Sequence, residues 1–249
     1  MRHAFTMASI AIFSPKGGVG KTSLAVNLAW AAATLSSRRT LLWDLDAGGG
    51  ATFILRPDFR QGDAARAVIE RNVAPERLIV RTDVPRLDLL PADASLRLLD
   101  VTFARLGANK RLRRIAEGLA ARYDRVVIDC PPGLGMVADQ VIRAASAIVM
   151  PVIPSPLAMR AATDLRRHLD GHGKGRPPLL PVFSMVDRRR AAHRAALAEA
   201  PAQPVIPMAS AVEQMAVRHA ALGAFAPRSP AAEAVADLWI AVERRLARS

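Results

Sequence analysis

Two lysines five residues apart lie in a glycine-rich stretch near the start of the chain. The stretch reads Ser-Pro-Lys-Gly-Gly-Val-Gly-Lys-Thr-Ser over residues 14–23, after a short apolar run and before a helical pattern. Backbone N–H groups of a glycine loop that opens a helix bind phosphate oxygens, and Lys21 and Thr22 suit the β- and γ-phosphates and Mg²⁺. Lys16 departs from the ordinary loop, since Pro15 occupies the place of its first glycine. The stretch predicts a nucleotide phosphate site with one unexplained lysine.

Carboxylates follow two further apolar runs, where strands of a parallel sheet would end. Asp44 and Asp46 lead from one run into three glycines, and Asp129 closes the run Arg-Val-Val-Ile. Ligands of an open parallel sheet bind at the carboxyl ends of its strands, so we expect these residues beside the glycine loop. Asp129 suits a carboxylate that holds a water of the Mg²⁺ shell, Asp46 can orient an attacking water, and Asp44 would brace the site.

Short apolar runs alternate with helical patterns along the chain, which is the order of βαβ units. We predict strands over 9–14, 40–44, 87–90, 125–129, 147–151, 179–185 and 205–206, and helices over 22–35, 93–104, 109–122, 136–144, 157–169, 190–198, 211–218 and 230–247. This alternation implies right-handed crossovers. The fold class is therefore α/β, a mostly parallel twisted sheet with helices on both faces. The sequence shows no long linker, so we predict one domain over 1–249.

Composition favours a polyanionic partner and a reducing compartment. The formal net charge of +13 indicates either nucleic acid or an anionic membrane, unless the arginines only solvate the surface. Cys130 is the only cysteine, which excludes an intrachain disulfide and a cysteine-rich metal site. The five histidines show no metal-ligand spacing, so we expect no zinc site. No apolar run reaches the roughly 18–20 residues of a membrane span.

Together these motifs resemble the ParA/MinD group of deviant Walker ATPases, the partition and positioning ATPases of bacteria. The specific signature is Lys-Gly-Gly-Val-Gly-Lys-Thr over 16–22, and the resemblance continues at 44–46, 129–132, 151–157, 205–207 and 226–230. It implies a P-loop NTPase fold, ATP and Mg²⁺ as cofactors, and ATP hydrolysis that is slow until a partner stimulates it. Because only a few residues precede 9–14, we expect no N-terminal DNA-reading domain like that of the larger plasmid partition proteins.

The resemblance also implies a role for each residue of the site. Lys16 reaches across a nucleotide-sandwich dimer to the partner's phosphates, and Asp46 positions the attacking water. The catalytic set is Lys16, Lys21 and Asp46, and the metal set is Thr22, Asp46 and Asp129. The cofactor-binding set is Lys16, Gly17, Gly18, Val19, Gly20, Lys21, Thr22, Ser23 and Pro207. The family shows Pro-Gln-Gly-Asn after Asp46 where this chain has Ala-Gly-Gly-Gly over 47–50, which predicts a more mobile segment before ATP binds.

Arginines gather where a helix is predicted to begin near residue 190. In DNA-binding relatives a basic residue at the place of Arg189 contacts DNA, and dimerisation would double such a patch. We expect a non-specific DNA-binding set of Arg188, Arg189, Arg190, Arg194, Arg218 and Arg245. The alternative is a solvated helix face.

The sequence as a whole predicts a ParA-like ATPase that is cytoplasmic and associated with the nucleoid. It would form a homodimer on ATP, bind non-specific DNA and position a chromosome or plasmid locus or a protein cargo through a cargo adaptor or a ParB-like activator. One alternative is a MinD-like ATPase on a membrane, which would contact lipid through the apolar face formed by Val235, Leu238, Trp239, Val242 and Leu246. A second alternative is a nucleotide-dependent regulatory module that acts through a protein partner.

Overall fold

Strands with uninterrupted apolar sequence form the middle of the sheet, because helices cover both of its faces. The computed structural model describes residues 7–59, 62, 64–71, 73–107, 110–173 and 175–248. The strands are β1 (Ala8–Ile12), β2 (Thr40–Asp44), β3 (Val80–Arg81), β4 (Leu87–Leu90), β5 (Arg125–Asp129), β6 (Ala147–Val152), β7 (Leu179–Val186) and β8 (Val205–Pro207). Every residue of β1, β2, β5 and β6 is buried.

The order of the strands in the sheet is β3-β4-β2-β5-β1-β6-β7-β8. Neighbouring strands are parallel except for the antiparallel pair β3–β4 at one edge. The helices are α1 (Lys21–Thr34), α2 (Gly50–Leu55), α3 (Ala65–Glu70), α4 (Leu99–Leu106), α5 (Arg111–Gly118), α6 (Met136–Ala144), α7 (Pro156–Asp170), α8 (Ala191–Glu199), α9 (Ser210–Arg218), α10 (Leu222–Phe225) and α11 (Pro230–Leu246). The predicted α/β class, with a mostly parallel sheet between helices, is confirmed.

Alternate side chains of the central strands enter two hydrophobic cores, one on each face of the sheet. Ile10 and Ile12 of β1 lie in the core that also contains the buried residues of α1 and α11. Ala11 and Phe13 lie in the opposite core, with the buried residues of α6 and α7. The sheet is therefore held from both sides, and its strand ends are the positions left for a ligand.

The predicted strands agree with the observed ones to within two residues at each end, but several short elements were not predicted. These are β3, α2, α3 and α10. The single helix predicted over 93–104 is a 3-10 turn at Ala94–Leu98 followed by α4, because Asp93 caps the turn by accepting a hydrogen bond from the Ser95 N–H. The helix predicted over 109–122 is α5, and its first predicted residue lies outside the described residues.

Helix α11 uses its apolar face to close one of the two cores. Val235, Leu238, Trp239 and Val242 are all buried. The Trp239 indole N–H donates to the Ser36 hydroxyl at 2.7 Å, so its polar atom is satisfied as well. The face that the membrane alternative requires is therefore occupied by the protein's own core. Among the described residues, no helix is long and apolar enough to cross a membrane.

Candidate functional site

Three parallel strands end side by side, and the predicted site residues lie at their carboxyl ends. In the register of β1, β5 and β2, Ile12 pairs with Asp129 and Asp129 pairs with Asp44. The phosphate loop leaves β1 directly beyond this point, and the two aspartates leave β5 and β2 beside it. The arrangement predicted from the ends of the apolar runs is therefore the one observed.

The phosphate loop adopts a backbone that only glycine accommodates without strain. Gly18 has φ 69° and Gly20 has φ 86°, and Gly20 is the N-cap residue of α1. A Cβ atom added at Gly17, Gly18 or Gly20 would meet no atom within 4 Å. There is thus open space beside these three glycines, and Gly20 brings the loop to the N-terminus of α1, which has the polarity that attracts an anion.

Neighbouring segments fix the loop through its carbonyl groups. The Gly133 N–H, after β5, donates to the Pro15 carbonyl at 3.0 Å. The buried Ser184 hydroxyl of β7 donates to the Val19 carbonyl at 2.8 Å. These two bonds use carbonyl oxygens of the loop and none of its N–H groups. Ser184 is a positioning residue that the sequence reading missed, because nothing near it in sequence marks its contact with the loop.

The two lysines of the loop have different environments. Lys21 is buried, and its ammonium donates to the Lys16 carbonyl at 3.2 Å. Burial lowers the pKa of Lys21, against the opposing effect of Asp129 and Asp46 nearby. Lys16 is half-buried, and its ammonium pairs with none of the residues that the structure describes. Lys21 is therefore built into the site, whereas the Lys16 charge is available to another group.

Asp129 is a buried carboxylate that lacks hydrogen-bond partners. The residue is fully buried, and neither carboxylate oxygen has a partner of normal geometry among the described residues. Burial and the nearby charge of Asp44 raise the pKa of Asp129 well above its usual range, although the Thr22 hydroxyl and Lys21 lie close enough to oppose this shift. A carboxylate and a hydroxyl that face one another are the oxygen ligands Mg²⁺ prefers, directly or through water. The residues present therefore fit this ion.

Asp44 stabilises the local fold, whereas Asp46 stays accessible at the candidate site. Asp44 accepts from the N–H and the hydroxyl of Thr52, both at 2.8 Å, and from the Asp46 N–H at 3.2 Å. Burial raises the pKa of Asp44 to about 6, against the effect of these bonds. Asp46 is partly exposed, and among the described residues its carboxylate accepts only the local Gly48 N–H bond, at 2.9 Å. Asp44 thus holds the start of α2, and Asp46 remains accessible to a ligand.

The three-glycine run forms a tight turn that presses against the phosphate loop. Gly49 has φ 62° and caps α2. A Cβ atom at Gly50 would lie 3.0 Å from the Thr22 Cγ2 atom, a closer approach than a side chain normally tolerates. This contact explains a small residue at position 50, which the sequence reading attributed to flexibility alone. The greater mobility of this segment before ATP binds stays a prediction.

Pro207 lies in a small cavity that adjoins the start of α1. The cavity has a volume of about 80 Å³, and its lining includes Gly20, Ser23, Asn27 and Pro207. Beside it, Met185 adopts φ 53° where the pairing of β7 and β8 shifts by one residue. Ser23 and Pro207, which the sequence reading assigned to the cofactor, are therefore neighbours in space.

Four of the predicted DNA-binding residues gather at the end of β7, and we call them the β7-edge arginines (Arg188, Arg189, Arg190 and Arg194). All four are exposed. Arg189 makes a two-bond ion pair with Asp187, at 2.9 and 3.0 Å. This pair lowers the pKa of Asp187 to about 2. The Arg194 guanidinium donates to the carbonyls of Arg188 and Arg189, which folds the cluster together.

The remaining two arginines do not extend this cluster as the sequence reading expected. Arg245 lines a cavity with Pro178 and Leu179 at the start of β7. Since β7 has eight residues, it separates Arg245 from the β7-edge arginines by roughly 25 Å at about 3.3 Å per residue. Arg218 lies on α9 with its guanidinium over the Phe225 ring, 5.1 Å from the centroid. Helix α11 begins near the end of β7 and runs back along the strands, so its basic end lies at the start of β7. The DNA-binding role of these residues stays a prediction.

Comparison with known proteins gives matches along most of the chain. Residues 7–173 match the family described as AAA domain. The chain is 33% identical to the chromosome partitioning protein ParA of Myxococcus xanthus over 187 residues, which are 72% of this chain and 65% of that protein. It is also 33% identical to the ParA of Caulobacter vibrioides over 190 residues, 73% of this chain and 71% of that protein.

Solved structures match over nearly the whole chain. Cobyrinic acid a,c-diamide synthase from Mycobacterium smegmatis, solved with an ATP analogue and magnesium, has a TM-score of 0.79 and 28% identity, with 96% of this chain and 94% of that chain covered. The cell division ATPase MinD of Pyrococcus furiosus has a TM-score of 0.79 and 21% identity, with 95% and 98% covered. The second likeness concerns the fold alone.

The unpaired carboxylate of Asp129 makes a prediction about stability. Because its pKa is raised in the folded chain, ionising it costs folding free energy, and this cost grows as the pH rises from the unfolded value of about 4. Asp129→Asn, without nucleotide or Mg²⁺, is expected to raise the free energy of unfolding at pH 7.5 by roughly 1–3 kcal/mol. The gain should shrink toward pH 4.5. Urea denaturation at both pH values measures it.

Asp124→Asn serves as the matched control with the opposite sign. Hydrogen bonds from Arg39 lower the pKa of Asp124, so its removal should destabilise the chain slightly, by less than about 1 kcal/mol at this partly exposed pair. A loss of stability in Asp129→Asn at pH 7.5 as large as that in the control would show that Asp129 is satisfied by the protein itself, and would remove the basis for a metal at this position.

Proposed function

The chain belongs to the ParA/MinD family of P-loop ATPases, and on this premise we propose that it hydrolyses ATP as a dimer, binds DNA without sequence preference and positions a cargo. The observation that carries the proposal is the loop from Lys16 to Thr22. It holds one lysine within the site and a second that has no partner among the described residues. Partition and positioning are the activities of this family, and the cargo is the part that the chain leaves unspecified.

ATP would bind with its phosphates over the open side of the phosphate loop. The N–H groups of Gly17 to Lys21 would donate to the phosphate oxygens, and the Lys21 ammonium, which contacts the Lys16 carbonyl in the same loop, would pair with them. The small cavity beside Pro207 is placed to receive the base or the ribose. Mg²⁺, when bound, would neutralise charge on the phosphate oxygens, with Thr22 and Asp129 as its holders. Asp46, accessible at the same edge, would orient the attacking water.

The free charge of Lys16 supports a dimer that ATP stabilises. A triphosphate brings about four negative charges to the site, and a site with low access to water makes each added cation count for more. Lys16 of a second chain, placed across the nucleotide, would supply such a cation. The dimer would then be favoured by ATP and lost after hydrolysis, which links chemistry to assembly.

The β7-edge arginines are the surface that we propose contacts DNA. Four exposed guanidiniums and one carboxylate, Asp187, leave the cluster with a net charge of about +3. Such a surface attracts the phosphate backbone without reading its sequence, and two copies in a dimer would steepen the dependence on salt. Phosphate would have to compete with Asp187 for Arg189. The activator that stimulates hydrolysis and carries the cargo is a separate partner in this proposal.

The proposal places the protein in the cytoplasm on the nucleoid, and one experiment separates it from the alternatives. The protein is sedimented with non-specific DNA and, in parallel, with anionic liposomes, each with ATP or ADP and Mg²⁺. We expect pelleting with DNA in ATP and not in ADP, and none with liposomes, because the apolar face of α11 is buried. Pelleting with liposomes alone would support the membrane alternative, and pelleting with neither would support the regulatory module.

Asp46→Ala tests the assignment of the attacking water. Asp46 makes only a local bond within its own turn, so its loss should leave the fold and nucleotide binding nearly unchanged. ATP hydrolysis is expected to fall by about 100-fold, a typical loss for a residue that orients a nucleophile, and the ATP-bound dimer should persist. Single-turnover hydrolysis and light scattering measure the two effects. Normal turnover in this variant would remove Asp46 from the mechanism.

The ion pair at the end of β7 gives two substitutions with opposite effects on DNA binding. Arg189→Glu should weaken binding and reduce the slope of log K against log salt, because a phosphate contact is lost. Asp187→Asn should strengthen binding, because Arg189 and Arg190 lose their competing carboxylate while the Asn oxygen still caps the turn. Fluorescence anisotropy at several salt concentrations, with ATP present, measures both.

Arg245→Glu is the control of equal charge change at the opposite end of β7. It should alter DNA affinity far less than Arg189→Glu. Equal losses in the two variants would mean that net charge, and not the β7-edge arginines, governs binding.

A further inference from the structure

Two histidines and one aspartate meet on the side of the sheet covered by α6 and α7. The Nε2 atom of His168 lies 2.7 Å from Oδ1 of Asp139, and the Nε2 atom of His172 lies 3.1 Å from the same oxygen. The two imidazole rings are edge to face, with centroids 5.4 Å apart. One ligand atom from each residue lies within 4.8 Å of the others. Three donor groups therefore converge on one small volume, far along the chain from the phosphate loop.

The sequence analysis found no metal-ligand spacing among the histidines and expected no zinc site, and the inference drawn below departs from that expectation. His168 is in the last turn of α7, and His172 follows two residues after the helix ends at Asp170. Four residues apart, they share one side of the chain. Their third partner, Asp139, belongs to α6 and stands 29 residues earlier. The two histidines have the four-residue spacing of a local ligand pair, but Asp139 lies on a separate element, so the sequence alone does not show the complete set.

The two short contacts are of hydrogen-bond length, and the same three ligand atoms are close enough together to hold a small tetrahedral cation. Zn²⁺ binds imidazole nitrogen and carboxylate oxygen at about 2.0–2.2 Å, so its ligand atoms stand roughly 3.3 Å apart. The observed separations of 2.7 and 3.1 Å need to open by only a few tenths of an ångström. The side chains keep 29%, 11% and 43% of their surface exposed for His168, His172 and Asp139. An ion can therefore enter, and a water can complete the coordination.

The donor atoms select among cations. His172 lines a cavity of about 540 Å³ whose other charged residues are Lys110, Arg113, Glu117, Arg143 and Arg176. This excess of positive charge opposes every divalent cation alike, so the affinity of a bound ion has to come from its ligand bonds. Mg²⁺ and Ca²⁺ prefer oxygen ligands. Coordination by two imidazoles suits late first-row metals such as Zn²⁺.

We propose that Asp139, His168 and His172 form a Zn²⁺ site that ties α6 to α7. The site is separate from the Mg²⁺ position at Thr22 and Asp129. Helix α6 follows directly on the segment in which the Gly133 N–H bonds to the phosphate loop. Zn²⁺ therefore stabilises the helix on which that segment continues, and its binding requires no nucleotide.

Zn²⁺ binding to the full chain tests the proposal, with any polyhistidine tag removed and no nucleotide present. Isothermal titration with ZnCl₂ is expected to give one ion per chain, and thermal unfolding should shift upward on addition of Zn²⁺ but not of Mg²⁺. His168→Ala and His172→Ala should each weaken binding by at least about tenfold. Asp139→Asn, which keeps an oxygen acceptor for neutral histidine, should weaken it similarly while leaving the metal-free unfolding temperature near that of the parent chain.

His219→Asn is the matched control, since His219 lies apart from this cluster on the left-handed residue that ends α9 and asparagine tolerates that conformation. It should bind Zn²⁺ as the parent chain does. Equal binding by the parent chain and Asp139→Asn would reduce the cluster to a hydrogen-bonded pair of helices and overturn the proposal. So would the absence of binding at micromolar Zn²⁺, or a response to Mg²⁺ of the same size.

Discussion

Opposite charges lie together at the carboxyl ends of the central strands, where Lys21, Asp129 and Asp44 are all buried. Each of these groups costs free energy to desolvate, and only Asp44 has its hydrogen bonds complete within the protein. The raised pKa of Asp129 and the lowered pKa of Lys21 both arise first from burial. Buried charges that lack partners are suited to bind a phosphate and a metal cation, because those groups would supply the missing opposite charges.

The rest of the fold fixes the positions of these strand ends. The register of β2, β5 and β1 fixes the strand ends from which the loop and the aspartates leave. Gly133 and Ser184 then hold the loop by its carbonyls from two sides, and Asp44 holds the start of α2 against Thr22. The two hydrophobic cores press on both faces of the sheet. The strands and helices thus fix the positions of the functional groups.

The sequence alone was enough to predict elements that show a local pattern of residues. It was not enough to predict contacts between segments that are far apart along the chain. Continuous apolar runs identified β2 and β5 because strands buried on both faces have no polar side to interrupt them. The glycine loop was evident because its positive φ values require that residue type. The Ser184 anchor and the meeting of Asp139 with two histidines depend on tertiary contacts between separate elements. The position of Arg245 depends on the direction of α11, which local composition does not determine.

The central claim is that Lys16 acts on the nucleotide of a second chain, whereas Lys21 acts on its own. Sedimentation velocity with a non-hydrolysable ATP analogue and Mg²⁺, together with nucleotide affinity, tests it in the parent chain, Lys16→Ala and Lys21→Ala. The account predicts a nucleotide-dependent dimer for the parent chain. For Lys16→Ala it predicts a monomer that still binds nucleotide with an affinity within about tenfold of the parent, and for Lys21→Ala a monomer that has lost binding. A Lys16→Ala chain that dimerises like the parent, or that loses nucleotide as fully as Lys21→Ala, would contradict it.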